Sequence, residues 1–470
     1  VKVIEKRVFH IAGFIVVALG CGLFTNQIIL SDFMEEHQIN IRMFRPMESY
    51  QKYGGVLTFA RSVGYAVVKK PEGYTTAKVD QIIQENEKKS ANEQQSTAKQ
   101  YPNIITVVNE TFADIKVLGD FKTNEDYMPY FHSLKKNCVT GYTYASIVGG
   151  QTANTEFELL TGNTLGFLSA GTTAFQLYIH GQMPSLVSNL KAEGYSGNKA
   201  MHPFNPYNYN RPAVYKDFGF ADFIDKFDFP KNVKRVREYI SDEANVDRII
   251  SEYEKNRKKT DQPFYMYNMT IQNHSPYDKD AANFKQPIKI ESSKYDAEAN
   301  RYLNLIKYSD DSLKQLTSYF EKCKEPTIIL FLGDHQPRLT DEFMNKITNG
   351  QYQTWSGEQM MKRYQVPFVI WANYDIKEQH IEKTSMNYIQ SILTKTAGVK
   401  MTGYQRFLNE VRKEVPTITS QGYWGKNGKF YQINDKGSPY YGIIQKYRMI
   451  QYNMMFDKKN RRDSFFEVSK

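Results

Sequence analysis

The 470-residue sequence predicts an α/β fold, a three-layer sandwich on a largely parallel sheet, preceded by a transmembrane helix and a surface linker. Three observations predict it. After Pro102, short and almost uninterrupted apolar runs alternate with amphipathic helical patterns, the sequence signature of βαβ units. A stretch near the N-terminus, Val8 to Leu30, holds no Asp, Glu, Lys or Arg. Between the two lies amphipathic and then polar sequence. The resulting division is 1–30 (cytoplasmic stub and transmembrane helix), 31–100 (linker), 101–415 (catalytic domain) and 416–470 (Tyr-rich extension).

The uncharged run would make a helix of about 34 Å, enough to cross a hydrocarbon core of about 30 Å. Lys2, Lys6 and Arg7 precede it, and Asp32, Glu35 and Glu36 follow it. The positive-inside bias puts the N-terminus in the cytoplasm and the remainder outside the cell membrane. The chain opens on Val1 rather than Met, as a piece of a longer or processed protein would.

In the linker, Gly55 to Val68 is amphipathic, and either lies along the bilayer surface or packs on the main domain. Lys78 to Gln100 is charged and reads as a solvated helix or linker. In the body, Asn103–Glu110, Pro263–Ile271, Thr327–Leu332 and Pro367–Trp371 read as buried strands. Tyr295 to Lys322 reads as a helix, with Leu303, Ile306, Leu313, Leu316 and Phe320 on one face. Such sheets carry their sites at the carboxyl ends of the strands.

Three features there carry chemistry. Glu110 ends the first strand. Gly149-Gly150-Gln151-Thr152 lets the backbone turn sharply into a helix over Thr155–Leu160. A helix start attracts anions, phosphate above all, so Thr152 is either an N-cap or a hydroxyl beside a bound phosphate. Asp334-His335 follows a strongly apolar strand and offers one oxygen and one nitrogen ligand to a divalent metal, or else forms a simple turn. Asp310-Asp311 sits within a helical pattern and reads as a solvated face. His132 and His180 read as structural or surface residues, and Lys458 to Arg462 as a solvated basic tail. Cys21, Cys138 and Cys323 lack metal or disulfide-scaffold spacing and read as free thiols.

In this order, the strand ending in Glu110, the Gly149–Thr152 segment with Glu156-Phe157, and the strand followed by Gly333-Asp334-His335 resemble the alkaline-phosphatase/sulfatase superfamily. More closely, the chain is similar to the lipoteichoic acid synthase family of phosphoglycerol transferases, from about residue 101 to about residue 400. The resemblance implies that Thr152 is the nucleophile and that Glu110, Thr152, Asp334 and His335 hold one metal, Mn2+ or Mg2+ ahead of Zn2+. It implies that His274 contacts the phosphoryl group and that His202 and Arg211 bind glycerol phosphate. Where the family often has Trp two residues before that Arg, this chain has Tyr209. The implied donor is phosphatidylglycerol, and the acceptor a lipoteichoic chain or wall polysaccharide. A phosphoethanolamine transferase shares the same logic, and an inactive scaffold is the non-enzyme alternative. A sulfatase proper needs a Cys or Ser in a C/S-x-P-x-R motif, which is absent around Thr152.

The formal charge of +10 suits an anionic partner. Zinc-finger, RNA-recognition and dense basic-helix signatures are all missing, so the expected partners are anionic lipid and polymer, with no nucleic acid.

Overall fold

The structure, a computed structural model, describes residues 2–29, 31, 33–37, 39, 41, 46–90, 100–291, 297–350 and 352–468. Leu30, Asp32, residues 91–99 and Tyr295-Asp296, which belong to segments discussed above, lie outside the described residues.

Eight strands form the central sheet. They are β1 (Asn103–Asn109), β2 (Cys138–Tyr144), β3 (Ser196–Met201), β4 (Asp222–Ile224), β5 (Phe264–Met269), β6 (Thr327–Gly333), β7 (Gln365–Ala372) and β8 (Gln379–Ser385). Their order across the sheet is β8-β2-β7-β6-β1-β5-β3-β4. Every neighbouring pair is parallel except those of β7, which runs antiparallel to both β6 and β2. β1 is buried along its whole length, as expected of a strand covered on both faces. Its alternate side chains divide between two layers: Ile104 and Val108 enter one core, Ile105 and Val107 the other.

Ten helices matter for the architecture. They are α1 (Lys2–Phe24), α2 (Pro46–Ala66), α3 (Thr76–Ser90), α4 (Thr152–Thr161), α5 (Arg211–Phe218), α6 (Asp242–Arg257), α7 (Ala297–Phe320), α8 (Met386–Thr396), α9 (Gly403–Glu414) and α10 (Tyr441–Met455). α4, α5 and α8 to α10 cover one face through residues such as Phe157, Val214, Ile389, Leu408 and Ile450. α6 and α7 cover the other through Ile249, Tyr253, Leu303, Ile306 and Leu313. These are the three layers that the alternation predicts.

Most of α1 falls within the apolar stretch Lys6–Ile29, which is long and apolar enough to cross a membrane and whose most apolar 18 residues bury nothing in the protein. α2 is broken by a kink at Gly54 (φ 76°), and each half has buried and exposed side chains. Ser49, Thr58, Ala60, Arg61 and Tyr65 are buried, whereas Met47, Tyr50, Val56, Phe59 and Val63 are exposed. Tyr178 donates to the Tyr65 carbonyl at 2.8 Å, so the helix packs on the main body and still presents apolar side chains outward.

Three expectations need correction. The charged stretch from Lys78 is not solvated over α3: Val79 and Ile82, three residues apart, enter the main core. Asp80 pairs with Arg462 at 2.6 Å, and Glu85 with Lys446 at 2.6 Å. The basic run Lys458–Arg462 is therefore no free tail, because Arg462 ties the C-terminal segment to α3. Asp310 is buried rather than solvated and accepts from the Tyr130 and Phe131 amides at 2.9 and 2.7 Å, capping the short helix Pro129–Ser133. The three cysteines are free thiols.

Candidate active site

Four adjacent parallel strands, β6, β1, β5 and β3, end at one edge of the sheet. Just past their ends stand Asp334 and His335, Glu110, His274, and His202. The segment after β2 returns to the same edge and begins α4 with Thr152. Gly149 makes that return possible. Its φ is +68°, and a Cβ on it would meet Arg338 Cβ at 3.0 Å. Gly333 lets the end of β6 pass close to the turn after β1, since a Cβ there would lie 1.8 Å from the Phe112 carbonyl oxygen.

Thr152 is not an N-cap. That position belongs to Gln151, which is left-handed (φ 67°) and makes no side-chain cap bond. The Thr152 hydroxyl instead donates to Asp334 Oδ2 at 2.8 Å and lies 3.5 Å from Glu110 Oε2. Asp334 Oδ1 accepts from the Thr111 and His335 amides at 2.6 and 2.8 Å. His335 Nδ1 pairs with the Gln336 carbonyl at 3.0 Å, which assigns the proton to Nδ1 and a lone pair to Nε2. That Nε2 lies 3.2 Å from Asp334 Oδ2 and 3.9 Å from Glu110 Oε1, outside hydrogen-bond geometry and buried without a partner.

A lone pair facing two carboxylates in a buried site is unfavourable without a cation. The ligand atoms of Glu110, Asp334 and His335 all lie within 4.8 Å of one another. Burial, then the charge of Asp334, hold the Glu110 carboxyl above the usual carboxylate range. Orphaned nitrogen, gathered oxygens and a carboxylate reluctant to ionise together fit a divalent metal, with Thr152 Oγ beside it.

The second wall is built around Arg211, at the start of α5. Arg211 is buried, and its Nε and Nη2 both donate to Glu156 Oε1, at 3.1 and 2.7 Å. Tyr215 and Tyr267 donate to Glu156 Oε2, the latter at 3.1 Å. Burial opposes the guanidinium charge, but Glu156 more than offsets it and keeps the group cationic. The Tyr209 ring lies 5.0 Å from the Arg211 guanidinium carbon. Burial raises the Tyr209 phenol well above its ordinary range, so it stays neutral.

His202 is buried, and its Nδ1 pairs with the Met269 carbonyl at 3.0 Å. Burial first, and the Arg211 charge second, push its pKa well down, so the ring is neutral. His274 Nδ1 pairs with the Ser275 carbonyl at 2.6 Å, which leaves Nε2 for a ligand. Arg237 holds that loop by donating to the Gln272, His274 and Pro276 carbonyls at 2.9, 2.7 and 2.7 Å. Glu110, Thr152, His202, Tyr209, Arg211, His274 and His335 all line one cavity, and Asp334 stands directly behind Thr152. All the residues that the resemblance assigns to nucleophile, metal and substrate therefore meet.

The sulfatase family profile matches residues 102–399. The chain belongs to the sulfatase family. The resemblance to that superfamily and to lipoteichoic acid synthases, read from the motifs, holds. This sulfatase-family chain is 30% identical over 433 residues to a Rhizobium meliloti protein described as a candidate for cyclic beta-1,2-glucan modification, covering 90% of this chain and 65% of that one. It is 27% identical over 237 residues to the lipoteichoic acid synthase-like YvgJ of Bacillus subtilis, covering 50% of this chain and 36% of that one. The chain thus spans less than two thirds of the length of either relative. Its fold matches that of the Streptococcus pyogenes phosphoglycerol transferase GacH in complex with sn-glycerol-1-phosphate, with a TM-score of 0.69 at 20% identity over 86% of this chain and all of that one.

Sequence reasoning missed the support behind these groups. Glu156 appeared only as a letter in a motif and Tyr267 only as part of a strand, and Tyr215 and Arg237 not at all. A glutamate next to the apolar residues Phe157, Leu159 and Leu160 was the one available signal, since a buried carboxylate needs a partner. Nothing local announced which arginine would supply it.

Proposed function

We propose that this chain transfers sn-glycerol phosphate from phosphatidylglycerol to a hydroxyl of a cell-envelope polymer, outside the membrane, through a phosphodiester intermediate on Thr152. The observation that carries this reading is the Thr152 hydroxyl, 2.8 Å from Asp334, in one cavity with the Arg211 guanidinium and His274. The exposed apolar helix α1 and the outward apolar side chains of α2 support a lipid donor and a membrane location. The names of the relatives support an envelope glycan or lipoteichoic acid as acceptor.

In the first half-reaction, Thr152 Oγ bonds to phosphorus and the bond to the diacylglycerol oxygen breaks. Asp334 takes the hydroxyl proton, and His274 Nε2 gives one to the departing alkoxide. In the second, an acceptor oxygen bonds to phosphorus and the Thr152 Oγ bond breaks. His274 Nε2 takes the acceptor proton, and Thr152 regains its own. Arg211, with Nε and Nη2 held by Glu156, keeps Nη1 to donate to a phosphate oxygen and orient it throughout. Neutral His202 offers Nε2 as an acceptor for a glycerol hydroxyl. A divalent ion on Glu110, Thr152, Asp334 and His335 would lower the hydroxyl's pKa and polarise the phosphoryl oxygen. The oxygen-rich donor set favours Mn2+ or Mg2+ over Zn2+.

Intact-protein mass spectrometry after incubation with phosphatidylglycerol and Mn2+ tests this. The expected result is a glycerol-phosphate adduct that maps to Thr152, with release of diacylglycerol. An adduct from phosphatidylethanolamine instead would reassign the donor, and normal turnover by Thr152→Ala would overturn the nucleophile. An inactive scaffold would show neither adduct nor release.

A further inference from the structure

A second cavity opens beside the catalytic one. It is a groove of about 540 Å³, within the range of small-ligand sites, and Phe204 lines both cavities. Phe204 stacks near the His274 ring, with centroids 6.3 Å apart and planes at 22°. Tyr239, on the groove's other wall, lies 5.8 Å from the same ring. Phe204, which lines both, therefore forms the partition, with His274 beside it on the catalytic side.

The lining is of two kinds. Phe227 is 72% exposed and offers an aromatic face at the groove. Lys226 Nζ spans the mouth, 4.9 Å from the Phe227 ring and 5.9 Å from the Phe204 ring. Lys231 and Arg235 add two more cations, against the single carboxylate of Glu238. Among the described residues, Lys231 makes no ion pair or hydrogen bond with a side chain. Open aromatic faces suit the apolar faces of sugar rings, and uncompensated cations suit phosphate.

We propose that this groove is the acceptor subsite and that it takes a glycan already carrying phosphodiester groups. The inference rests on the transferase reading above. In the second half-reaction the acceptor enters where the diacylglycerol left, opposite Thr152, and its hydroxyl must reach His274. A glycan lying on Phe227 and Phe204 meets that requirement, with Lys226 and Lys231 holding phosphates on neighbouring sugars. A bare glycerol-phosphate chain would use the cations but leave the Phe227 face idle, and a neutral glycan would do the reverse. Substitution of one sugar would then favour substitution of the next.

The test is calorimetric binding to the full chain of three probes: neutral cyclic β-1,2-glucan, the same glucan carrying phosphoglycerol groups, and a glycerol-phosphate oligomer without sugar. The expected order is substituted glucan tightest, with binding that weakens as salt rises. Phe227→Ala and Lys231→Ala, both at exposed positions, should each weaken it about tenfold, equivalent to about 1.4 kcal/mol. Equal binding of the neutral and substituted glucans, equal binding of the sugar-free oligomer, or wild-type binding by both variants would overturn the proposal. Binding is read without turnover, so the subsite and the reaction fail separately. Absence of diacylglycerol release by the wild-type protein would sink the transferase reading, whatever the groove binds.

Discussion

Glu110 and Glu156 are both buried carboxylates near the same end of the sheet, and their surroundings are opposite in kind. Glu156 is matched: a guanidinium takes one oxygen and two phenols take the other. Glu110 has one hydroxyl donor at 2.8 Å, a second at 3.5 Å, and a second carboxylate and an orphaned imidazole nitrogen as neighbours. A charge cluster that closes on itself is scaffold, since its bonds are spent inside the protein. A cluster left short of positive charge is a ligand set, because only an added cation balances it. The site thus joins a finished wall, which positions Arg211, to an unfinished one, which holds Thr152.

The largest effect should come from the nucleophile on the unfinished wall. Thr152→Ala should cut diacylglycerol release by more than about 10³-fold while changing stability by less than about 1 kcal/mol, because no scaffold bond depends on it. Turnover assays with thermal denaturation on the same sample check both halves. A large loss of stability would mean that Thr152 belongs to the scaffold.

On the finished wall the balance should reverse. Glu156→Ala leaves Arg211 buried and unpaired, and should lower unfolding free energy by about 3–5 kcal/mol. Glu156→Gln, which keeps hydrogen-bonding atoms without the charge, should fold. Its KM for donor should rise more than its kcat falls, since the fork that meets phosphate is then only loosely held. If the Gln variant kept wild-type kinetics, Glu156 would be packing and not positioning Arg211.

The cation deficit gives a third contrast. Saturating Mn2+ should raise the unfolding free energy of the wild-type protein by up to about 4 kcal/mol at a thousandfold excess over Kd. That rise should vanish in Glu110→Gln, whose metal-free form should be more stable than wild type. Because the folded Glu110 carboxyl lies above its unfolded value, it holds its proton where the unfolded chain has lost one. Metal-free stability should therefore fall as pH climbs above the unfolded carboxylate value of about 4.5, and metal affinity should rise over the same span. Metal titrations at several pH values read the slope. Affinity independent of pH would show that Glu110 is already ionised.

The same contrast explains what sequence could show. Glu110, Thr152 and Asp334-His335 were legible because each follows an apolar strand or a glycine turn, and such signals are local. Half of the sheet was legible for the same reason, since runs such as Ile104 to Val108 and Ile328 to Leu332 can hardly be anything but buried, whereas β2, β3, β4 and β8, shorter or more polar, were not read as strands. The scaffold was not. Arg211 and Glu156 stand 55 residues apart and Asp80 and Arg462 382 apart, so no window contains both partners. α3 carries Val79 and Ile82 to the core with Ile83 packed beside them and Asn86 buried, a stripe at three- and four-residue spacing that the surrounding charges masked. The expectation of a solvated linker and a solvated basic tail failed because each was the other's partner.

Glu158 provides the finest test, two residues from Glu156 on the same helix. It too is buried, but its partners are all neutral: the Ser146 hydroxyl at 2.7 Å, the Leu165 amide at 2.9 Å and the Thr164 hydroxyl at 3.3 Å. Without a cation, burial pushes its pKa up from 4.5 to about 7, against the pull of those three donors. The folded carboxyl then binds a proton that the unfolded chain has released, and stability falls as pH rises from 4.5 to about 7. All three donors meet Oε1, an atom that glutamine keeps as a carbonyl oxygen. Glu158→Gln should therefore stabilise the protein by about 1–3 kcal/mol at pH 8 and by less than about 1 kcal/mol at pH 5. Denaturant titrations at the two pH values measure the difference. An equal effect at both would mean that neutral donors alone suffice to keep a buried carboxylate charged here, and the distinction drawn between Glu156 and its unmatched neighbours would lose its basis.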